Sequence, residues 1–233
     1  MKRIVNILAA SLACLALGAL PVLAGNIAGK VTYGGTPPPQ KPLTVTKDKE
    51  VCGREAHADE SLVVAPDKGI ANVVIYIQDA PSAPKMAVPA TNPQLDQRSC
   101  KFHPHVQIIP AGGTLDVLNN DGILHNLHTY PKNNPPVNQA QPKFKKVMPL
   151  KFQKPDTIRI ACDVHTWMNG WLVVAPHAWY ALSKPDGTFT MGNVAPGTYT
   201  LSYWQETLGV QTAQVTVPAT GDAKADLTFP AKK

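Results

Sequence analysis

The chain has 233 residues, with 22 Lys and Arg against 16 Asp and Glu, a formal net charge of +6, 23 prolines and 16 glycines. Charge this weak and dispersed excludes a nucleic-acid-binding stripe, and so many turn formers argue against a helical bundle. The length suits one large or two small domains.

The amino end comes first. Lys2 and Arg3 precede an apolar run from Ile4 to Leu20, and after Pro21 the tripeptide Val22-Leu23-Ala24 offers a small-residue cleavage site before Gly25. This is the pattern of a secretory signal peptide over residues 1–24, which predicts an exported, periplasmic protein. No later segment approaches the roughly 18–20 apolar residues of a membrane span, so no span is expected after cleavage. Removing Lys2 and Arg3 leaves 20 basic residues against 16 acidic ones, a mature charge of +4.

Of four cysteines, Cys14 leaves with the signal peptide. Three thiols then remain in an oxidising compartment, so at least one has no partner within the chain. Cys52 and Cys100 flank a Pro- and turn-rich region and read best as a disulfide, which the chain-entropy treatment credits with roughly 3–4 kcal/mol at most. Cys162 is the odd one. A free exported thiol oxidises or cross-links unless it is buried or held by a metal.

Between the turn signals lie short β-branched and aromatic runs: "IAGKVTY", "SLVV", "NVVIYI", "HVQIIP", "TLDVLN", "DTIRIA", "GWLVV", "TFTMG", "TYTLSYW", "AQVTV" and "ADLTF". Such spacing predicts an all-β sandwich or barrel. Thr157-Ile158-Arg159-Ile160 alternates, as a strand with one buried face should. The lysine-rich "KFKKVMPLKFQK" reads as a solvated edge strand. Composition shifts near residues 80–94 and after "APHAWY" divide the chain into an N-terminal β extension (25–95) that partly completes the sandwich, a core (96–175) and a C-terminal β module (176–233). In the last, Asp186-Gly187 and Pro196-Gly197 mark turns. That tail is short for an independent sandwich, so it either borrows "GNIAGKVTYGG" or packs on the preceding domain.

The stretch with most chemistry is "ACDVHTWMNGWLVV", residues 161–174. One strand delivers Cys162 and the next leaves from Trp171, and the short loop between carries His165 and Met168. From "NNDGILHNLHTY", His125 is the candidate fourth donor. A thiolate, two imidazoles and a weak thioether form the ligand set of a blue-copper electron-transfer site. Zinc is the rival, if His125, His128, Cys162 and His165 converge. An extended "HNLH" would put His125 and His128 on opposite faces and leave Met168 unused, which argues against it. His103 and His105 in "HPH" resemble one half of a multicopper cluster, but Ala161 and Asp163 stand where such clusters need histidines beside the cysteine. The pair could still share a strand face and bind adventitious metal. His57 and His177 read as surface or packing residues, and Trp171, Trp179 and Trp204 as core or rim aromatics.

"PAGGTLDVLNNDGILHNLHTY" with "IACDVHTWMNGWLVV" resembles the copper-binding core of the cupredoxins, and the Cys-x-x-His-x-x-Met loop is most similar to those of the amicyanin type. The matching stretch runs from about residue 101 to 175. The resemblance implies a Greek-key β-sandwich holding one type 1 copper ion on His125, Cys162, His165 and axial Met168. Asn126 would bridge the two ligand segments, with Asp163 as a further outer partner. It also implies that His165 is the electron port, within an apolar docking patch of Ile123, Leu124 and Trp167. The function so implied is one-electron carriage without catalysis, by a monomer whose partner is a c-type cytochrome or a periplasmic dehydrogenase. The alternative is a copper-storage or structural β protein whose copper or zinc carries no electrons. "DGTFTMGNVAPGTYTL" resembles the carboxypeptidase regulatory-like, transthyretin-type β modules, a less specific likeness made largely of turn chemistry.

Overall fold

The structure is a computed structural model that describes residues 24–232; the expected signal peptide, Cys14 included, lies outside them except for Ala24. Among the described residues, no helix is long and apolar enough to cross a membrane.

The regular structure is almost wholly strand, joined by turns and loops. First come β1 (Gly25–Tyr33), a one-turn helix α1 (Lys49–Cys52) and β2 (Val74–Ile77). Next are β3 (Gln94–Arg98), β4 (Lys101–His103), β5 (Val106–Pro110), β6 (Thr114–Asn119), β7 (His125–Tyr130), β8 (Asn138–Gln141) and β9 (Val147–Lys151). β10 (Asp156–Ala161), β11 (Asn169–Ala175), β12 (Tyr180–Leu182), β13 (Thr188–Val194) and β14 (Gly197–Gln205) follow. β15 (Gly209–Val217), β16 (Ala223–Lys224) and β17 (Leu227–Phe229) complete the order. "SLVV", expected as a strand, supplies only the isolated bridge of Val64 to Ile70.

Four sheets stack in layers. β4-β3-β6-β9 faces β5-β11-β10-β7-β8 across a core that includes Leu95, Phe102, Leu115, Ile158, Ile160 and Leu172. β12-β2-β14-β15 faces β13-β1-β16, with β17 also on β1, across Ile27, Val31, Ile75, Phe189, Leu201 and Tyr203. The expected all-β architecture of a sandwich plus a further β module is thus present. The two sandwiches join at a smaller apolar seam, where Val74 and Trp204 of one meet Val106, Trp171 and Val173 of the other.

Strand alternation explains the seam. Trp171 and Val173 point to it while Leu172 and Val174 point into the first core. Val74 and Tyr76 do the same opposite Ile75 and Ile77. Both strands are buried on two faces, so both read as continuous apolar runs rather than alternating ones.

The expected N-terminal extension serves both sandwiches. β1 pairs with β13, β16 and β17, and β2 pairs with β12 and β14, so these strands complete the C-terminal module. Residues between them return to the first sandwich, where Leu43, Val45, Val51 and Cys52 pack on its core. Cys52 is bonded to Cys100 there, with the Cα atoms 5.2 Å apart.

Candidate metal centre

At one end of the first sandwich, β10 and β11 form a hairpin whose last pair is Ala161 with Asn169. The connection is a tight loop closed by its own backbone: Met168 N–H donates to the His165 carbonyl at 2.9 Å, and Cys162 N–H to the Met168 carbonyl at 3.2 Å. Cys162, His165 and Met168 are thereby drawn into one buried turn. His125 opens β7, opposite Gln141 of β8, after a turn in which Gly122 takes φ 71°. That turn brings the strand in beside the loop.

The two imidazoles and the thiol meet. His125 Nδ1 and His165 Nδ1 lie 3.0 Å apart, and each is 3.9 Å from Cys162 Sγ. A triangle with these sides has a circumradius of about 2.1 Å, close to the bond lengths nitrogen and sulfur donors give a small transition-metal ion. His125 and His165 are wholly buried, and Cys162 and Met168 nearly so.

What turns the Nδ1 atoms inward is found on the other side of each ring. His125 Nε2 lies 2.8 Å from Asp121 Oδ2, and His165 Nε2 lies 2.8 Å from Asp48 Oδ2. A carboxylate on Nε2 holds the proton there and leaves Nδ1 with its lone pair. Two such lone pairs 3.0 Å apart repel unless a proton or a metal cation lies between them, and the donor set is one that fits a metal ion.

The electrostatics agree. Burial opposes ionisation of the Cys162 thiol, but hydrogen bonds to His125 and His165 and to the backbone outweigh it and bring its pKa down to about 6. Burial likewise opposes charge on His125, and its hydrogen bonds to Asp121 and Cys162 overcome that to raise its pKa. Asp121 is held below the usual carboxylate range against its own burial, by His125 and by the N–H groups of Cys100 and Ser99. The two shifts favour a thiolate at Cys162 beside a more basic imidazole at His125, and a metal bound here would take the place of the proton.

Asn126 ties the two ligand segments together. Its Oδ1 accepts from Asp163 N–H at 2.7 Å and Val164 N–H at 3.3 Å, and lies 3.3 Å from Cys162 Sγ. Its Nδ2 donates to Asn138 Oδ1 and Asp163 Oδ2. His128 lies on the other face of β7, bonded to Asp163 Oδ1 at 3.0 Å, and does not join the donor triangle.

The expected docking patch is corrected in part. His165 has no exposed edge, because Asp48 and the strap carrying α1 lie over it. Trp167 is 9% exposed and turned inward, its Nε1 donating to the Cys100 carbonyl at 3.1 Å. Ile123 packs partly buried on the core, and Leu124, 46% exposed, is the member of the patch that reaches solvent. His103 and His105 share no face. His103 Nε2 meets the Arg98 carbonyl, whereas His105 is buried against Glu206, with Nε2 to Oε1 2.5 Å. Glu206 Oε2 also accepts from Trp171 Nε1 at 2.7 Å, which pins the seam. His57 is a buried packing residue on the Cys52 carbonyl.

Asp48, Asp121 and Glu206 are the residues that the sequence pattern does not reveal. Asp121 lies four residues before His125 and could be sought on that spacing. Asp48 stands 117 residues from His165, and no local signal marks it.

A family model described as polysaccharide lyase family 4, domain II, matches residues 164–225, from within the metal loop through the C-terminal module. No curated protein matches the chain. Among solved structures it is similar to a Cu-containing nitrite reductase from Thermus scotoductus SA-01, at 22% identity over 39% of this chain and a TM-score of 0.32. The chain spans only 25% of that reductase. A purple cupredoxin from Nitrosopumilus maritimus is 19% identical over 36% of this chain and 100% of its own, with a TM-score of 0.31. A reduced amicyanin variant is 20% identical over 43% of this chain and 98% of its own, with a TM-score of 0.34.

Proposed function

We propose that the protein is an exported type 1 copper protein of the cupredoxin kind, carrying single electrons through His125, Cys162, His165 and Met168. The observation that carries this reading is the buried triangle of two Nδ1 atoms and one Sγ, with both Nε2 atoms already committed to carboxylates. Copper bound there would supply a one-electron couple between two oxidation states. The chain supplies the rest. Cys162 is a strong thiolate donor that needs little help to lose its proton near neutral pH. Its two neighbouring imidazoles are oriented in advance, so no ring turns when charge changes. Met168, drawn in by its backbone hydrogen bonds to the loop, would be the weak thioether donor of the set. Burial of all four side chains excludes water, which keeps reorganisation small.

The same geometry argues against storage or delivery, which need an open coordination position and a mobile ligand. The redox partner is a c-type cytochrome or a periplasmic dehydrogenase. Loading the metal-free protein with Cu(II) should produce an intense visible thiolate charge-transfer band that a mild reductant bleaches reversibly. Cys162→Ser should abolish the band, and Met168→Ala should change its position and the reduction potential. Absence of the band, or normal metal binding by Cys162→Ser, would defeat the reading. Zinc as the metal held on purification would favour a structural site.

A further inference from the structure

The strap between β1 and β2 reaches the metal centre at Asp48 and again at Cys52, whose Sγ lies within 4.8 Å of a His165 ring nitrogen. Asp48 sits in a left-handed conformation (φ 49°, ψ 45°) immediately before α1, and its carbonyl accepts from Val51 and Cys52 N–H. Its side-chain Oδ2 is 2.8 Å from His165 Nε2. Four residues on, Cys52 is bonded to Cys100. Cys100 in turn occupies the two-residue turn between β3 and β4 with Ser99, and its N–H donates to Asp121, the carboxylate on His125. The Cys100 carbonyl accepts from Trp167 of the metal loop. One disulfide therefore anchors the carboxylates behind both imidazoles and the loop that carries the second.

We propose that Asp48 is a positioning residue for His165: its carboxylate, anchored by the Cys52–Cys100 bond, fixes the ring with Nδ1 toward the metal and seals the Nε2 edge from solvent. The inference rests on the electron-carrier reading for the identity of the metal, but not for the orientation of the ring. His165 is wholly buried, whereas the Asp48 side chain is 31% exposed, so the carboxylate forms the outer wall of the centre. Without it, the ring loses its only hydrogen-bond partner on the Nε2 side among the described residues. The wall also means that electrons do not leave through an open imidazole edge at His165. On the His125 side, Leu124 reaches the surface.

Two variants separate the claims. Asp48→Ala removes the acceptor, while Asp48→Asn keeps an oxygen that accepts the same hydrogen bond. In the metal-free protein labelled with 15N-histidine, the wild type and Asp48→Asn should show a slowly exchanging Nε2–H on His165, and Asp48→Ala should lose it. In the Cu(II)-loaded protein, transfer to EDTA should be about 10–100-fold faster for Asp48→Ala, the usual effect of losing such an outer partner, and close to wild type for Asp48→Asn. Far-ultraviolet circular dichroism and a thiol count of the Asp48→Ala protein check that the fold and disulfide persist. Retention of the protected Nε2–H in Asp48→Ala, or loss of copper at the wild-type rate, overturns the proposal. If the wild type holds no copper, the electron-carrier reading fails, and the Nε2–H measurement alone decides the role of Asp48.

Discussion

Asn126→Ala tests whether the metal loop is held by the strand beside it rather than by the metal. The Asn126 side chain is buried and its Oδ1 receives two backbone N–H groups of the loop, one at 2.7 Å and one at a weaker 3.3 Å. Removing the acceptor leaves both donors without a protein partner. A buried donor left unsatisfied costs about 1–3 kcal/mol, and water reaches this part-buried pair, so a total of about 2–3 kcal/mol is expected. For a chain of this size that corresponds to a fall in Tm of roughly 4–12 °C. The assay is thermal and urea unfolding of the metal-free protein, read by circular dichroism and tryptophan fluorescence, with coincidence of the two probes as the check on two-state behaviour. Asn138→Ala is the comparison, because its side chain is exposed and its bonds to Asn126, Asp163 and His128 can all be replaced by water, so it should cost less than about 0.5 kcal/mol. Stability of Asn126→Ala within about 0.5 kcal/mol of wild type, or an equal loss in Asn138→Ala, would refute the reasoning.

Glu206→Ala should strand the buried His105 and Trp171 Nε1–H at the seam, at a cost of about 2–4 kcal/mol, and Glu206→Gln should recover part of it. Unfolding curves that overlay wild type would show that the seam is not pinned there. In the metal-free protein, the thiolate absorbance of Cys162 should titrate near pH 6 rather than at its ordinary 9.0. The folded pKa lies below the unfolded one, so this group's contribution to stability is complete above about pH 9 and is lost as pH falls toward about 6. A midpoint at its ordinary value would contradict the thiolate–imidazole pairing.

Much of the centre is legible in the sequence because its donors are local. Cys162, His165 and Met168 share one short loop, and the alternation of β7 separates His125 from His128 with no tertiary information. Cysteine arithmetic likewise isolates Cys162, since it depends on counting and compartment alone. The errors lie where two distant segments meet. The resemblance to the cupredoxins implies that His165 and Trp167 border an exposed docking patch, whereas both are buried. A strap from residues 41–58 covers them here, and nothing in "TKDKEVC" announces that Asp48 is bound for His165. The "HPH" pair misleads for a related reason: His103 ends β4 while His105 lies in the bend before β5, and the partner of His105 is 101 residues away at Glu206. Likewise, the parallel partners of β1 at the far end of the chain leave no trace in the alternation of "IAGKVTY".

The pairing of β1 with β17, Tyr33 beside Phe229, sets an order of events for a chain made from its amino end. The first strand has no neighbouring strand until β13 emerges at residues 188–194, its parallel partners follow only near the end, and pairings over such sequence distances form slowly. Every donor of the metal site has emerged by Met168, and the sandwich around it is complete by Ala175. The half of the molecule that carries the candidate metal site can therefore assemble while the other half is still an open chain. Copper would then bind a folding intermediate, and its binding energy would be available to hold one half in place while the two ends of the polypeptide find each other.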